Sequence, residues 1–292
     1  HGSVTWEALM LKSELKDALT SLLDAADPSF SVSLSSSKNL VGGFYYILAL
    51  QRWERGCSPG KDDILLESFP TTDTPSIERL LCIAPHALFH GYESDRIALQ
   101  RKLGQQGYAL LFCEMTSSPY RPAHYLAVCS RRKEVVFCVR GSKSVCDFGT
   151  DVAALPTTFP DAQSPYRAHG GIADAARFLH EEIGMCLHAL SERGFHIVLT
   201  GHSLGAACVT LLGYMLHADL PGMEVVGFGC PSCADAALAA ACRPFAHNVV
   251  LRDDMVCRMN VPRATALLKS IMLYKDTWPS IFEEDWKSAR DR

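Results

Sequence analysis

Apolar residues fall into two textures along the chain. In residues 5–26, Trp6, Leu9, Leu15, Leu19, Leu22 and Leu23 recur at helical spacing, which predicts an amphipathic helix. Asp27-Pro28 and the serine run 33–37 close it as a loop. Residues 39–53 predict a second, more apolar helix, whose YYILAL run (45–50) reads either as core or as a patch facing a membrane. A polar break follows at 57–63, and residues 75–104 are helical again. Residues 1–105 are thus expected to form a helical layer, with His1-Gly2-Ser3 read as a tag-removal scar.

After Gly107 the runs become short and apolar. Tyr108 to Cys113, His124 to Cys129 and Glu134 to Val139 predict strands, the last two joined by the polar turn 130–133 as in a hairpin. A long amphipathic helix is expected over 171–193, stopped by Gly194. Then come a strand at 195–200, a helix at 204–217, a strand near 223–229, a short helix near 234–242, a strand at 247–252 and a helix over 262–274. Apolar strands alternating with helices predict an α/β domain over 106–292, a mainly parallel sheet with helices on both faces.

Composition narrows the function classes. With 28 basic and 32 acidic side chains the formal charge is −4, so nucleic-acid binding through a basic face is not expected. The longest apolar stretch, Leu40 to Leu50, is shorter than the roughly 20 residues a spanning helix needs. No basic segment followed by an apolar one and a small-residue cleavage site opens the chain. Most of the 12 cysteines lie inside apolar runs such as VVFCVR, which favours reduced, buried thiols and a cytoplasmic location or the cytosolic face of a membrane. Cys230-Pro-Ser-Cys233 has no second ligand pair at zinc spacing, so it reads as two packed thiols at a strand end and no metal is expected.

One motif carries chemistry. Gly201-His202-Ser203-Leu204-Gly205 fits G-x-S-x-G between a predicted strand and a predicted helix. A serine there sits on a sharp turn that thrusts its hydroxyl above the sheet, and the glycines relieve crowding against neighbouring backbone. The following helix aims its first amides at the same place, so the N–H of Leu204 can hold a developing oxyanion. The serine needs a base and the base an orienting acid. The apolar strand before Asp253-Asp254 brings a carboxylate to the sheet's C-terminal edge. In this arrangement the histidine follows the acid in the chain, yet none of the 11 histidines follows Asp254. His202 lies inside the elbow and is expected to point away from the attack line. His169 is the fallback base, being the one other histidine in a loop of functional texture.

Five blocks in order now resemble a family. Val135 to Ser142 is similar to the strand ending in R-G-T/S of the class 3 lipases, and Ser144 with Asp147 to Asp151 to the S-x-x-D-x-x-T-D that follows it. Ala168 to Ile172 resembles the H-x-G-F/I before the long helix, Gly201 to Gly205 is the elbow, and Asp254 to Arg258 is similar to D-I/L-V-P-R. Within the family the chain is most similar to the sn-1-specific diacylglycerol lipases. The resemblance implies an α/β-hydrolase fold with Ser203 as nucleophile, Asp254 as triad acid, and Ser142 with the Leu204 amide as oxyanion hole. It also implies no cofactor. Cys257 stands where the family has proline.

The family's histidine lies beyond the acid, and it is expected outside these 292 residues, leaving this chain a poor catalyst by itself. The segment between Asp151 and His169 reads as a short mobile flap or as a structural crossover. The implied reaction is hydrolysis of di- or monoacylglycerol esters at a membrane or lipid-droplet surface, through an acyl-enzyme. A lipase-like binding or signalling module without turnover is the alternative from another class, and a generic esterase or thioesterase differs only in substrate.

Overall fold

The computed structural model describes residues 73–141, 155–251, 254, 256–258 and 266. The chain divides into two compact units, His1–Thr71 with Val261–Arg292, and Thr72–Asn260; the elements below belong to the second. The helices expected at 5–26, 39–53 and, apart from residue 266, 262–274 lie outside the described residues, as does Ser142.

The helical stretch read at 75–104 is two helices, α1 (Thr74–Leu88) and α2 (Arg96–Gln105), separated by a 3-10 turn at His90–Tyr92. Each begins on an aspartate that caps it: Asp73 accepts from the Ser76 amide and Asp95 from the Ile97 amide. Three strands follow, β1 (Ala109–Glu114), β2 (His124–Cys129) and β3 (Glu134–Val139). A small two-stranded sheet of β4 (Pro156–Thr158) and β5 (Arg167–His169) leads into α3 (Gly170–Glu192). Then come β6 (His196–His202), α4 (Leu204–Leu216), β7 (Glu224–Phe228), α5 (Ala236–Cys242) and β8 (Ala246–Val249).

The main sheet runs β1-β2-β3-β6-β7-β8. β1, β2 and β3 pair antiparallel, and β3, β6, β7 and β8 are parallel. The fold expectation therefore holds, with an antiparallel margin added. The strict alternation of β3 shows why its sequence is continuously apolar. Val135, Phe137 and Val139 pack with α3 and α4, whereas Val136 and Cys138 pack with α1 and α2 on the opposite face.

The described part of the flap segment is a pinned crossover rather than a loose loop. Phe159 is fully buried, and Arg177 of α3 donates to the carbonyls of Thr158 and Pro160.

At the sheet's N-terminal edge, Arg79 of α1 pairs with Glu134 and Glu224, while Tyr108 donates to Glu134 and His196 lies 3.3 Å from Glu224. Burial opposes ionisation of Glu224, but His196 and Arg79 outweigh it and hold its carboxyl down to about 2. A carboxyl depressed in the folded state stabilises the fold above its unfolded value near 4.5, and that stability is lost as pH falls toward 2. Arg79→Met is expected to cost about 2 kcal/mol at neutral pH, because one buried and one half-buried carboxylate lose their cation. Urea unfolding should show a smaller loss at pH 3 than at pH 7, and equal losses would refute this account.

Candidate active site

The site stands at the C-terminal edge of the parallel strands. β6 ends at His202 and α4 begins at Leu204, so Ser203 alone makes the turn, at φ 53° and ψ −126°. Such a backbone costs a non-glycine residue about 1–3 kcal/mol and persists only where the surroundings over-determine it. Here they do. The Ser203 amide donates to the Phe228 carbonyl of β7 at 2.9 Å, and the Ser203 carbonyl accepts from the Ala206 amide at 2.9 Å. A Cβ on Gly201 would stand 2.5 Å from the Gly205 carbonyl carbon and 2.8 Å from the Val139 oxygen, and one on Gly205 would collide with Val139. Ser203 occupies the N-cap of α4 without using its hydroxyl to cap it, which leaves Oγ for other work. The Leu204 N–H belongs to the first turn of α4, where amides have no intrahelical acceptor.

Asp254 stands across the end of β7 from this turn. Its Oδ1 accepts from the Val256 amide at 2.9 Å, an Asx turn that fixes the carboxyl. Its Oδ2 faces Gly229, where a Cβ would lie 3.0 Å from it. Gly229 follows Phe228, so one strand end touches both the Ser203 backbone and the Asp254 carboxylate. Gly229 has φ +62°, and it combines that conformation with this close approach. Cys257, in place of the family's proline, sets its thiol 3.9 Å from Asp254 Oδ2; burial and then that carboxylate push the thiol up to about 11.

His202 turns its Nδ1 to the Tyr92 hydroxyl at 2.8 Å. Burial lowers its pKa, against the pull of Asp254. Its Nδ1 is thus engaged by Tyr92. His169 ends β5 and begins α3; its amide donates to the Cys233 carbonyl at 2.9 Å. It lines a cavity of about 730 Å³ together with Gly141, Leu204, Ile172, Ala175 and Cys208, and the β1–β2 loop 115–122 forms the opposite wall. That volume is within the usual range for a small-molecule pocket. Cys230 and Cys233 are free thiols, and no group of three or more histidine, cysteine or acidic side chains among the described residues could hold a metal.

Two residues with no role in the sequence reading belong to this geometry. Arg140 is buried at the end of β3 and donates to the Met115 carbonyl at 3.0 Å and to Ser117 Oγ at 2.8 Å, so it pins the loop that walls the cavity. Its place in the R-G-S block is the signal that could have marked it. Tyr92 reaches the elbow from the 3-10 turn, 110 residues away in sequence. No local pattern announces it.

Comparisons with known proteins bear on the family and the fold. The family described as Lipase (class 3) matches residues 136–263. Mouse diacylglycerol lipase-beta is 32% identical over 157 residues, covering 51% of this chain and 23% of the relative. Human diacylglycerol lipase-alpha is 23% identical over 186 residues, covering 58% of this chain and 18% of the relative. The chain thus spans less than a quarter of the length of these relatives. Among solved structures, the lipase from Rhizopus microsporus var. chinensis aligns with a TM-score of 0.56 at 18% identity, over 70% of this chain and 77% of that one. The Rhizomucor miehei triacylglyceride lipase aligns with a TM-score of 0.55 at 19% identity, over 65% and 76%. At such identities the likeness speaks for the fold, which is that of the α/β-hydrolases. The stretch 136–263, which holds the elbow and the Asp254 block, is thus similar to the class 3 lipases.

Proposed function

We propose that this chain carries the serine-hydrolase core of a lipase that cleaves acyl esters of di- or monoacylglycerols. The observation that carries this reading is the Ser203 backbone at φ 53° and ψ −126°, at the head of α4 with its hydroxyl not spent on capping that helix. Attack on an ester carbonyl requires a hydroxyl presented above the sheet, which this strained turn supplies. Ser203 Oγ attacks the ester carbonyl carbon. The Leu204 amide and Ser142 stabilise the tetrahedral oxyanion. A histidine oriented by the Asp254 carboxylate takes the serine proton and passes it to the leaving glycerol oxygen. The acyl group remains on Ser203 until water, activated by the same histidine, releases the fatty acid. The cavity beside Leu204 receives the acyl chain, its floor made by Ile172, Ala175 and Cys208. No histidine follows Asp254 in this sequence, and His169, on the cavity wall, is the candidate base within it.

A fluorophosphonate probe tests the reading. In the naturally expressed polypeptide that carries these residues, mass spectrometry should place the covalent label on Ser203, and Ser203→Ala should abolish it. Label found elsewhere, or persisting in the alanine variant, removes the assignment. An unlabelled protein that still binds diacylglycerol vesicles would support a module without turnover instead.

A further inference from the structure

The elbow and the acid that sequence motifs bring to this site come from the turn between β6 and α4 and from the segment after β8. Tyr92 comes from neither these elements nor the stretch matched to the family, yet its hydroxyl lies at the joint between the two halves of the site. It is 2.8 Å from His202 Nδ1, the residue immediately before Ser203. It also lies against Gly141, the residue immediately before Ser142, where a Cβ would approach it to 2.5 Å. The same Cβ would collide with the His202 carbonyl, so Gly141, Tyr92 Oη and His202 meet at one point. A phenol proton donated to His202 Nδ1 would place the ring proton on Nε2. On that side stands Asp254: the Gly229 Cβ position is 3.8 Å from His202 Nε2 and 3.0 Å from Asp254 Oδ2.

We propose that Tyr92 is a positioning residue that donates to His202 Nδ1 and fixes the spacing between the oxyanion strand end and the nucleophile elbow, through its contact with Gly141 and its hydrogen bond to His202. The inference rests on the reading of Ser203 as nucleophile. Its physical basis is that an oxyanion donor works only when it is aimed at the place where charge develops, and a small misplacement costs rate without costing affinity. Glycine at 141 lets the phenol oxygen approach the backbone, and the half-buried phenol then ties two segments that no backbone ladder joins at that point. It also links the helical layer of α1 and α2 to the chemistry, so that layer does more than cover a sheet face.

Tyr92→Phe keeps the ring and removes the link. In the naturally expressed polypeptide it is expected to lower kcat on a short-chain acyl ester, and the rate of fluorophosphonate labelling at Ser203, about ten-fold, with KM within about two-fold. The thermal midpoint should stay within about 2 °C, because one half-buried hydrogen bond is lost and the ring is kept. Imidazole 15N spectra should show His202 as the Nε2–H tautomer in the unsubstituted chain and as a mixture in Tyr92→Phe. The double variant Tyr92→Phe/His202→Gln should be no slower than the slower single variant, since both break one link. Full activity in Tyr92→Phe, additive losses in the double variant, or an Nδ1–H His202 in the unsubstituted chain would each overturn the inference. If Ser203 takes no label at all, the hydrolase reading fails by itself, and the nitrogen spectra still decide the Tyr92 link.

Discussion

Gly205→Ala is expected to destabilise the protein by at least about 3 kcal/mol and to abolish reactivity at Ser203, although a single methyl group is added. The methyl has nowhere to go. At position 205 it would collide with the Val139 oxygen and stand 2.9 Å from the Val139 carbonyl carbon and 3.0 Å from that of Arg140. All three atoms are backbone at the end of β3, and none can rotate aside as a flexible side chain would. Room can be made only by moving α4 away from β3, and that motion carries the Ser203 turn with it, since Ser203 is bonded to both the first turn of α4 and β7. Gly104→Ala supplies the contrast. It lies in α2, and a Cβ there meets nothing within 4 Å. That change should be neutral or stabilise by up to about 1 kcal/mol, as expected for glycine replaced by alanine in a helix. Urea unfolding of both variants, followed by circular dichroism, checks the pair. Near-equal stability of the two would mean that the crowding at the elbow relaxes cheaply, and the packing account would fall.

The same crowding explains what the sequence disclosed. G-x-S-x-G is legible because it records backbone contacts: glycine is required at 201 and 205 whatever the neighbouring side chains are. Strands β2 and β3 were legible to the residue because both faces of each are covered, which leaves unbroken apolar runs with polar stops. Residues 75–104 read as helix, but the break at His90–Tyr92 did not, since one 3-10 turn between two aspartate-capped helices leaves little mark on hydrophobic periodicity. The flap segment was ambiguous for a related reason. What pins its described part is Arg177, whose guanidinium grips two carbonyls from a helix turn that also reads as ordinary surface. Tyr92 and the loop held by Arg140 were invisible as site elements because their roles arise from contacts between distant segments. A lone tyrosine after His-Gly carries no spacing to interpret, and Ser142 lies outside the described residues.

Asp254→Asn is expected to lower ester turnover in the naturally expressed polypeptide by about 10⁴-fold while leaving the fold intact. The two halves of that expectation have separate causes. The structural half rests on Oδ1, which accepts from the Val256 amide; asparagine keeps an oxygen there, so the Asx turn survives and stability should change by under about 1 kcal/mol. The functional half rests on charge. An amide cannot stabilise an imidazolium or fix the tautomer of the histidine it contacts, so the serine keeps its proton. Asp253→Asn separates the adjacent aspartates, and it should retain turnover within about three-fold if Asp254 is the acid. An independent reading comes from His202. Asp254 raises the pKa of that imidazole against the larger effect of burial, so its removal should lower the value further, and a proton titration by NMR would register the change without any substrate. Should Asp253→Asn abolish turnover while Asp254→Asn keeps it, the acid must be reassigned. Should His202 titrate unchanged in Asp254→Asn, the carboxylate does not face the elbow, and the coupling between the two halves of the site would have to be abandoned.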